Sequence, residues 1–194
     1  VPLGIRFEDN KMRNRNLLLT LGLFGVFSSA HANILVNPGF ETGNMTGWTT
    51  TAFTATNNDF HTGAWSTIAF GNVNLAQSFA PVAGTDITEV SVWVKQPNLS
   101  TFFFAFDILY TDSTFDETIG SGGVATTWTK FDFTSLVNTS KTVSGIRGWG
   151  YSTGGTNDVT WYDDFVVNVN PVPEPASFAV LGLGAFALLR RRKK

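Results

Sequence analysis

The chain has no cysteine in its 194 residues. That absence excludes disulfides, thiolate zinc centres, thiol nucleophiles and disulfide redox chemistry, so stability must come from packing, helped at most by a metal ion held through oxygen. Histidine is almost as scarce, with only His31 and His61, which leaves a Ser-His-Asp relay little to build on. There is no Gly-rich phosphate cradle, no paired-His metal motif and no nucleophile elbow. Charged residues make up only 14% of the chain, and their near balance, 13 basic against 15 acidic, hides an uneven distribution. Between Asn33 and Asn170 the cations are Lys95, Lys130, Lys141 and Arg147, against twelve acids, for a net charge of -8. Such a surface repels phosphates, and no nucleic-acid partner is expected.

The cations missing from the body lie at the two ends. Arg13 and Arg15 precede the apolar run Leu17 to Phe27, and Ala30-His31-Ala32 offers the small residues that a signal peptidase accepts. Residues 12–32 therefore read as a signal peptide with a helical apolar stretch. Met12 is its natural start, and residues 1–11 read as a start-site extension. At the other end Val172-Pro173-Glu174-Pro175 leads into the 14 residues Ala176 to Leu189, then Arg190-Arg191-Arg192-Lys193-Lys194. A Pro-Glu-Pro turn, a short apolar helix and a basic stop hold a chain tip on the cytoplasmic side of a bilayer. Fourteen residues span about 21 Å as a helix, against a hydrocarbon core of about 30 Å, which suits transient retention better than permanent anchoring. A simple tail anchor and a buried C-terminal helix are the alternatives, and five consecutive cations argue against the second.

The order of elements in residues 171–194 resembles the PEP-CTERM sorting signal of exported bacterial proteins. The resemblance implies export, brief retention in the inner membrane, processing by an exosortase near the Pro-Glu-Pro, and delivery to the cell surface or exopolysaccharide matrix.

Residues 33–170 form one domain of ordinary size. Short runs rich in Val, Phe, Trp, Thr and Ile alternate with Gly, Asn, Asp and Pro, and no long stretch holds a helical period. In the run Val90 to Lys95, Val90, Val92 and Val94 share one face and Ser91, Trp93 and Lys95 the other. Phe102 to Tyr110 is apolar at nearly every position, which predicts a central strand with Asp107 its one charge. Trp128 to Phe133, Ile146 to Tyr151 and Thr160 to Val169 complete the pattern. The expected fold is all-β, a two-sheet sandwich of about eight strands, flanked by the signal helix and the short C-terminal helix.

The opening Asn33-Ile34-Leu35-Val36-Asn37-Pro38-Gly39-Phe40-Glu41-Thr42-Gly43 with Gly47-Trp48, and the close Val159 to Val167, resemble the first and last strands of galactose-binding-like jelly rolls, common among carbohydrate-binding modules. The resemblance implies that Phe40 and Trp48 plug the core. It also implies a structural Ca²⁺ at one edge of the sandwich, held by Glu41, by Asp163 or Asp164, and by carbonyls near His61 to Gly63. Hard oxygen ligands and gathered like charges suit that cation. Asp163 shares the parity of Phe165 and Val167 and is preferred. The alternative is a solvated Asp164 with Glu41 bonded to a turn.

Six tryptophans raise the question of sugar stacking. Trp93 beside Lys95, and Trp149 with Tyr151, are the candidate platform, with Asp107 and Arg147 as polar partners; Trp48 and Trp128 read as core. A non-catalytic glycan-binding module and a ligand-free matrix or coat protein are the two functions left standing. A glycosidase built on Asp107 with Asp132, or on Asp116 with Glu117, is the weakest option, because adjacent acids in Thr111 to Thr118 read as a solvated loop.

Overall fold

The structure is a computed structural model that describes residues 32–96, 102–120, 126–152 and 159–170. Apart from Ala32, the expected signal segment with its helix lies outside the described residues, as do the start-site extension and the C-terminal tail with its helix. Among the described residues no helix is long and apolar enough to cross a membrane.

Eleven strands are described: β1 (Ala32–Asn33), β2 (Thr49–Thr50), β3 (Thr54–Thr56), β4 (Ser66–Phe70), β5 (Val73–Ala83), β6 (Ile87–Lys95), β7 (Phe102–Tyr110), β8 (Phe115–Gly120), β9 (Thr129–Asp132), β10 (Thr142–Ser152) and β11 (Val159–Val169). β6, β7, β9, β10 and β11 fall on the five runs expected as strands from the sequence, while β4, β5 and β8 were not singled out there. β1 to β3, only two or three residues each, are too short to leave an alternation signal. One sheet runs β3-β4-β11-β6-β9 with β1 on β11, and the other runs β2-β5-β10-β7-β8. All pairings are antiparallel, giving the two-layer jelly roll.

Alternation assigns the faces. Val90, Val92 and Val94 of β6 are buried in the core, while Trp93 and Lys95 stand half-buried on the outer face of the first sheet. On β7, Phe104, Phe106, Ile108 and Tyr110 face the core. Their neighbours Ala105 and Asp107 point to the outer face of the second sheet, yet are fully covered. That matches the near-continuous apolar reading of this strand.

The interlayer core is unusually aromatic. Phe40 and Trp48 pack on Phe165 at centroid distances of 6.1 and 4.6 Å, and Phe106 stacks on Phe133 at 4.3 Å. Each such ring removes a large apolar area from water and adds about 0.5–1.5 kcal/mol per well-placed pair. Phe40 and Trp48 thus plug the core as the sequence implied. Phe40 does so from a left-handed backbone, φ 59°, a conformation that a bulky residue keeps only when its surroundings hold it there.

Trp128 departs from expectation. It is half-buried and lies on the outer face of the first sheet, its Nε1 donating to Asp59 at 2.9 Å. It precedes β9 in a connection, so strand parity never governed it.

Polar pairs brace the outer faces. Glu89 accepts from Lys130 Nζ at 2.8 Å, Ser91 Oγ at 2.8 Å and Asn168 Nδ2 at 3.0 Å. The Lys130 bond, followed by the Ser91 bond, holds the Glu89 carboxyl below the ordinary glutamate range. A depressed folded-state value stabilises the fold above the unfolded value, and that contribution is lost as pH falls through the folded one. Thermal melts should therefore show Glu89→Gln costing no more than about 1 kcal/mol at neutral pH, because the pair is near the surface. The difference from wild type should close under strongly acidic conditions.

Candidate functional site

Two clusters and one separate face carry the polar chemistry. The first joins three distant segments at the sandwich edge. β11 bulges between Asp163 and Val166, with Asp164 left-handed at φ 46°. The bulge sends both Tyr162 and Phe165 into the core and shifts the parity between them. Asp163 therefore does not face inward with Phe165 and Val167, as its spacing suggested. It pairs with Trp93 on the outer face and is nevertheless fully buried, beneath the loop carrying His61.

Asp163 accepts from the backbone N–H groups of His61 (2.8 Å), Thr62 (3.3 Å) and Asp164 (2.7 Å). Asp164 meets His61 Nδ1 at 2.7 Å and accepts from Thr62 Oγ1 at 2.8 Å. Glu41 takes the N–H groups of Ala64 and Trp65, each at 3.1 Å from Oε1. Gly63 is the hinge of this clamp. Its φ is 68°, a backbone that any side chain would strain, and a Cβ there would sit 2.2 Å from Glu41 Oε1 and push that carboxylate off its donors. Burial, then the neighbouring Asp164 carboxylate, pushes the Asp163 carboxyl up to about 7.

The implied calcium ligands Glu41, His61, Gly63, Asp163 and Asp164 are thus brought to one edge. The donor set is hard oxygen, and Asp163 is a carboxylate whose burial penalises its charge unless something offsets it. Among the described residues, however, no three acidic or histidine side chains converge on one point. A cation here fits only with backbone carbonyls supplying much of its shell.

The second cluster occupies the outer face of the sheet β2-β5-β10-β7-β8. Arg147, Trp149 and Tyr151 alternate with Ile146, Gly148 and Gly150 on β10. The glycines face the core, where a Cβ at Gly148 would approach the Tyr162 ring at 3.3 Å. The larger three therefore point outward. Trp149 and Tyr151 lie nearly parallel, with centroids 5.6 Å apart and planes 16° apart. The Arg147 guanidinium sits 4.8 Å over Trp149 and 5.3 Å over Phe115 of β8. Phe115 itself is 51% exposed, an apolar rim to the strip. Beneath them Asp107 Oδ2 accepts from Arg147 Nε at 2.5 Å and from Trp149 Nε1 at 2.8 Å.

Trp93 and Lys95 do not belong to this strip. They stand on the opposite sheet, where Trp93 stacks on His61 at 3.6 Å with planes 15° apart and Lys95 bonds Asp59. The six-residue platform expected from the sequence is therefore two surfaces on opposite sides of the sandwich. Asp107, Arg147, Trp149 and Tyr151 remain together.

Sequence reasoning missed Phe115 and weighed Glu117 only beside Asp116, not opposite Asp107. Residues 115–120 form edge strand β8, with Glu117 directly opposite Asp107; the Thr- and Asp-rich composition pointed to a loop. Asp107 and Asp132 lie on different sheets, and Asp116 bonds the Tyr110 hydroxyl at 2.7 Å. Neither sequence-expected carboxylate pair is assembled.

The two-sheet jelly roll is similar in fold to solved carbohydrate-binding modules. The chain is similar to a family 61 carbohydrate-binding module solved with β-1,4-galactotriose, at TM-score 0.56 and 18% identity, covering 72% of this chain and 99% of the other. It is similar to a family 16 carbohydrate-binding module, at TM-score 0.52 and 16% identity, covering 70% of this chain and 99% of the other. A Clostridium thermocellum xylanase 10B fragment with CBM22-1 and GH10 modules, solved with xylohexaose, matches at TM-score 0.54 and 17% identity over 74% of this chain and 29% of the other. No curated protein matches the sequence. Residues 171–193 match the PEP-CTERM protein-sorting motif, so the chain carries the signal of an exported, surface-sorted protein.

Proposed function

We propose that this chain is a non-catalytic polysaccharide-binding protein of the cell surface or exopolysaccharide matrix, with Arg147, Trp149, Tyr151 and Phe115 as its contact strip and Asp107 as the buried brace. The observation that carries this reading is the continuous outward strip on β10 and β8, in which near-parallel rings alternate with a guanidinium on one face. Flat aromatic faces cover the apolar faces of sugar rings, and a few fixed polar groups bond hydroxyls. On this reading signal peptidase and exosortase are the partners in export, and the tail holds the chain in the inner membrane only until processing. Ca²⁺ at the Glu41, Asp163 and Asp164 edge, completed by carbonyls of residues 61–63, offsets the gathered negative charge.

One observation favours the ligand-free alternative: Arg147 and Trp149 are already engaged by Asp107, as a self-sufficient structural ladder would be. Affinity electrophoresis of the full chain in gels containing β-1,4-galactan or xylan separates the two. Retardation in either polymer is expected, and unchanged mobility in both would leave the matrix or coat protein reading.

A further inference from the structure

The strip contains one polar atom that its described neighbours leave unpaired. Asp107 is fully buried, and both of its recorded bonds end on Oδ2; Oδ1 is buried and has no partner. A buried acceptor left unpaired costs about 1–3 kcal/mol, and such atoms are rare enough in native proteins to need a cause. The groups facing this point can be named strand by strand. β10 presents Arg147, Trp149 and Tyr151; β8 presents Phe115 and Glu117; β5 presents Asn74 and Ala76 across from Trp149 and Arg147. Arg147 and Trp149 donate to the other oxygen of Asp107. Glu117 stands directly opposite Asp107 in the β7–β8 register and on the same face.

We infer that Glu117 and Asp107 share one proton, which Glu117 donates to Asp107 Oδ1, so that the strip carries no net charge and is suited to neutral rather than uronate-bearing polysaccharide. The charge count is direct. Arg147 is the one cation on this face among the described residues, and Asp107 already holds it. An ionised Glu117 would leave two carboxylates side by side, and like charges so placed disfavour double ionisation. The Glu117 carboxyl is held above the ordinary glutamate range, by burial first and by Asp107 next. A uronate brought to this face finds its natural counter-ion, Arg147, already paired with the buried Asp107. The substrate class rests on the polysaccharide reading above; the shared proton does not.

Two measurements on the full chain test them separately. In an NMR pH titration the Glu117 carboxyl should titrate above the ordinary glutamate range, and the Trp149 indole N–H resonance, bonded to the same Asp107, should move with the same midpoint. Glu117→Gln sits at an exposed edge position, keeps an N–H donor for Asp107 Oδ1, and should remove that step from the Trp149 signal. Ordinary titration of Glu117, or a Trp149 step that survives in Glu117→Gln, overturns the shared proton. For the substrate class, β-1,4-galactan is compared with the same polymer after oxidation of its primary hydroxyls to carboxylates. Retardation should fall at least fivefold on oxidation, and equal or stronger retardation overturns the inference. No retardation by either form sinks the polysaccharide reading and the substrate class with it, while the NMR titration still decides the proton.

Discussion

Replacing Trp149 by alanine is expected to weaken polysaccharide binding by at least about thirtyfold, the scale of a central aromatic anchor worth about 2 kcal/mol. The indole does three things at once. It supplies the flat surface beside Tyr151, carries the Arg147 guanidinium on its face, and donates its N–H to Asp107. Removing it deletes the centre of the strip and frees the arginine from its position. Trp149→Phe separates the roles, since it keeps a ring for stacking but loses the indole donor; it should bind better than the alanine variant and worse than wild type. Trp93→Ala is the decisive control because Trp93 lies on the opposite sheet against His61. Affinity electrophoresis should show Trp93→Ala retarded like wild type. The reverse pattern, with Trp93→Ala defective and Trp149→Ala normal, would move the ligand to the other face.

The largest stability effect is expected at Asp163. Its carboxylate serves three backbone N–H groups, those of His61, Thr62 and Asp164, and ties the β11 bulge to the loop that buries it. Alanine leaves those donors without their partner at about 1–3 kcal/mol each. Part of that loss is returned, because the wild-type fold also bears the cost of a carboxyl pushed up by burial. A net destabilisation of about 3 kcal/mol should appear in chemical or thermal unfolding. Asp163→Asn keeps an acceptor for some of these donors and should lose less. The same variants test the cation. If calcium is held here, calcium at about a hundredfold its dissociation constant adds about 2.7 kcal/mol to wild type, and Asp163→Asn should show little of that gain. Wild-type melting that chelator and calcium leave alike would remove the cation while leaving the clamp intact.

How far these features were legible before folding depends on how local they are. The three valines of β6 and the glycine-spaced outward residues of β10 follow from alternation, the plugs Phe40 and Trp48 follow from the jelly-roll resemblance, and each is where it was expected. Asp163 was misassigned by one face because a single extra residue in the bulge reverses parity. The reversal leaves no mark in composition. Trp128 was read as core because a tryptophan in a sandwich is core more often than platform, although it sits in a connection. Glu117 and Phe115 were hidden for a different reason. A short edge strand that follows the Thr- and Asp-rich turn 111–114 looks like part of a loop until it pairs, and only pairing places Glu117 across from Asp107.

The sequence by itself determined the sorting signal, the absence of thiol chemistry, the acidic body and the all-β alternation, because each is written in a short ordered motif, in composition or in a period of two residues. Only the tertiary structure decided that Trp93 and Trp149 face opposite ways, that Asp163 is buried under a loop rather than in the core, and that Asp107 meets Glu117. Those depend on which strands become neighbours and in what register. That choice is made by contacts between residues far apart in the chain, and strand periodicity carries no information about it.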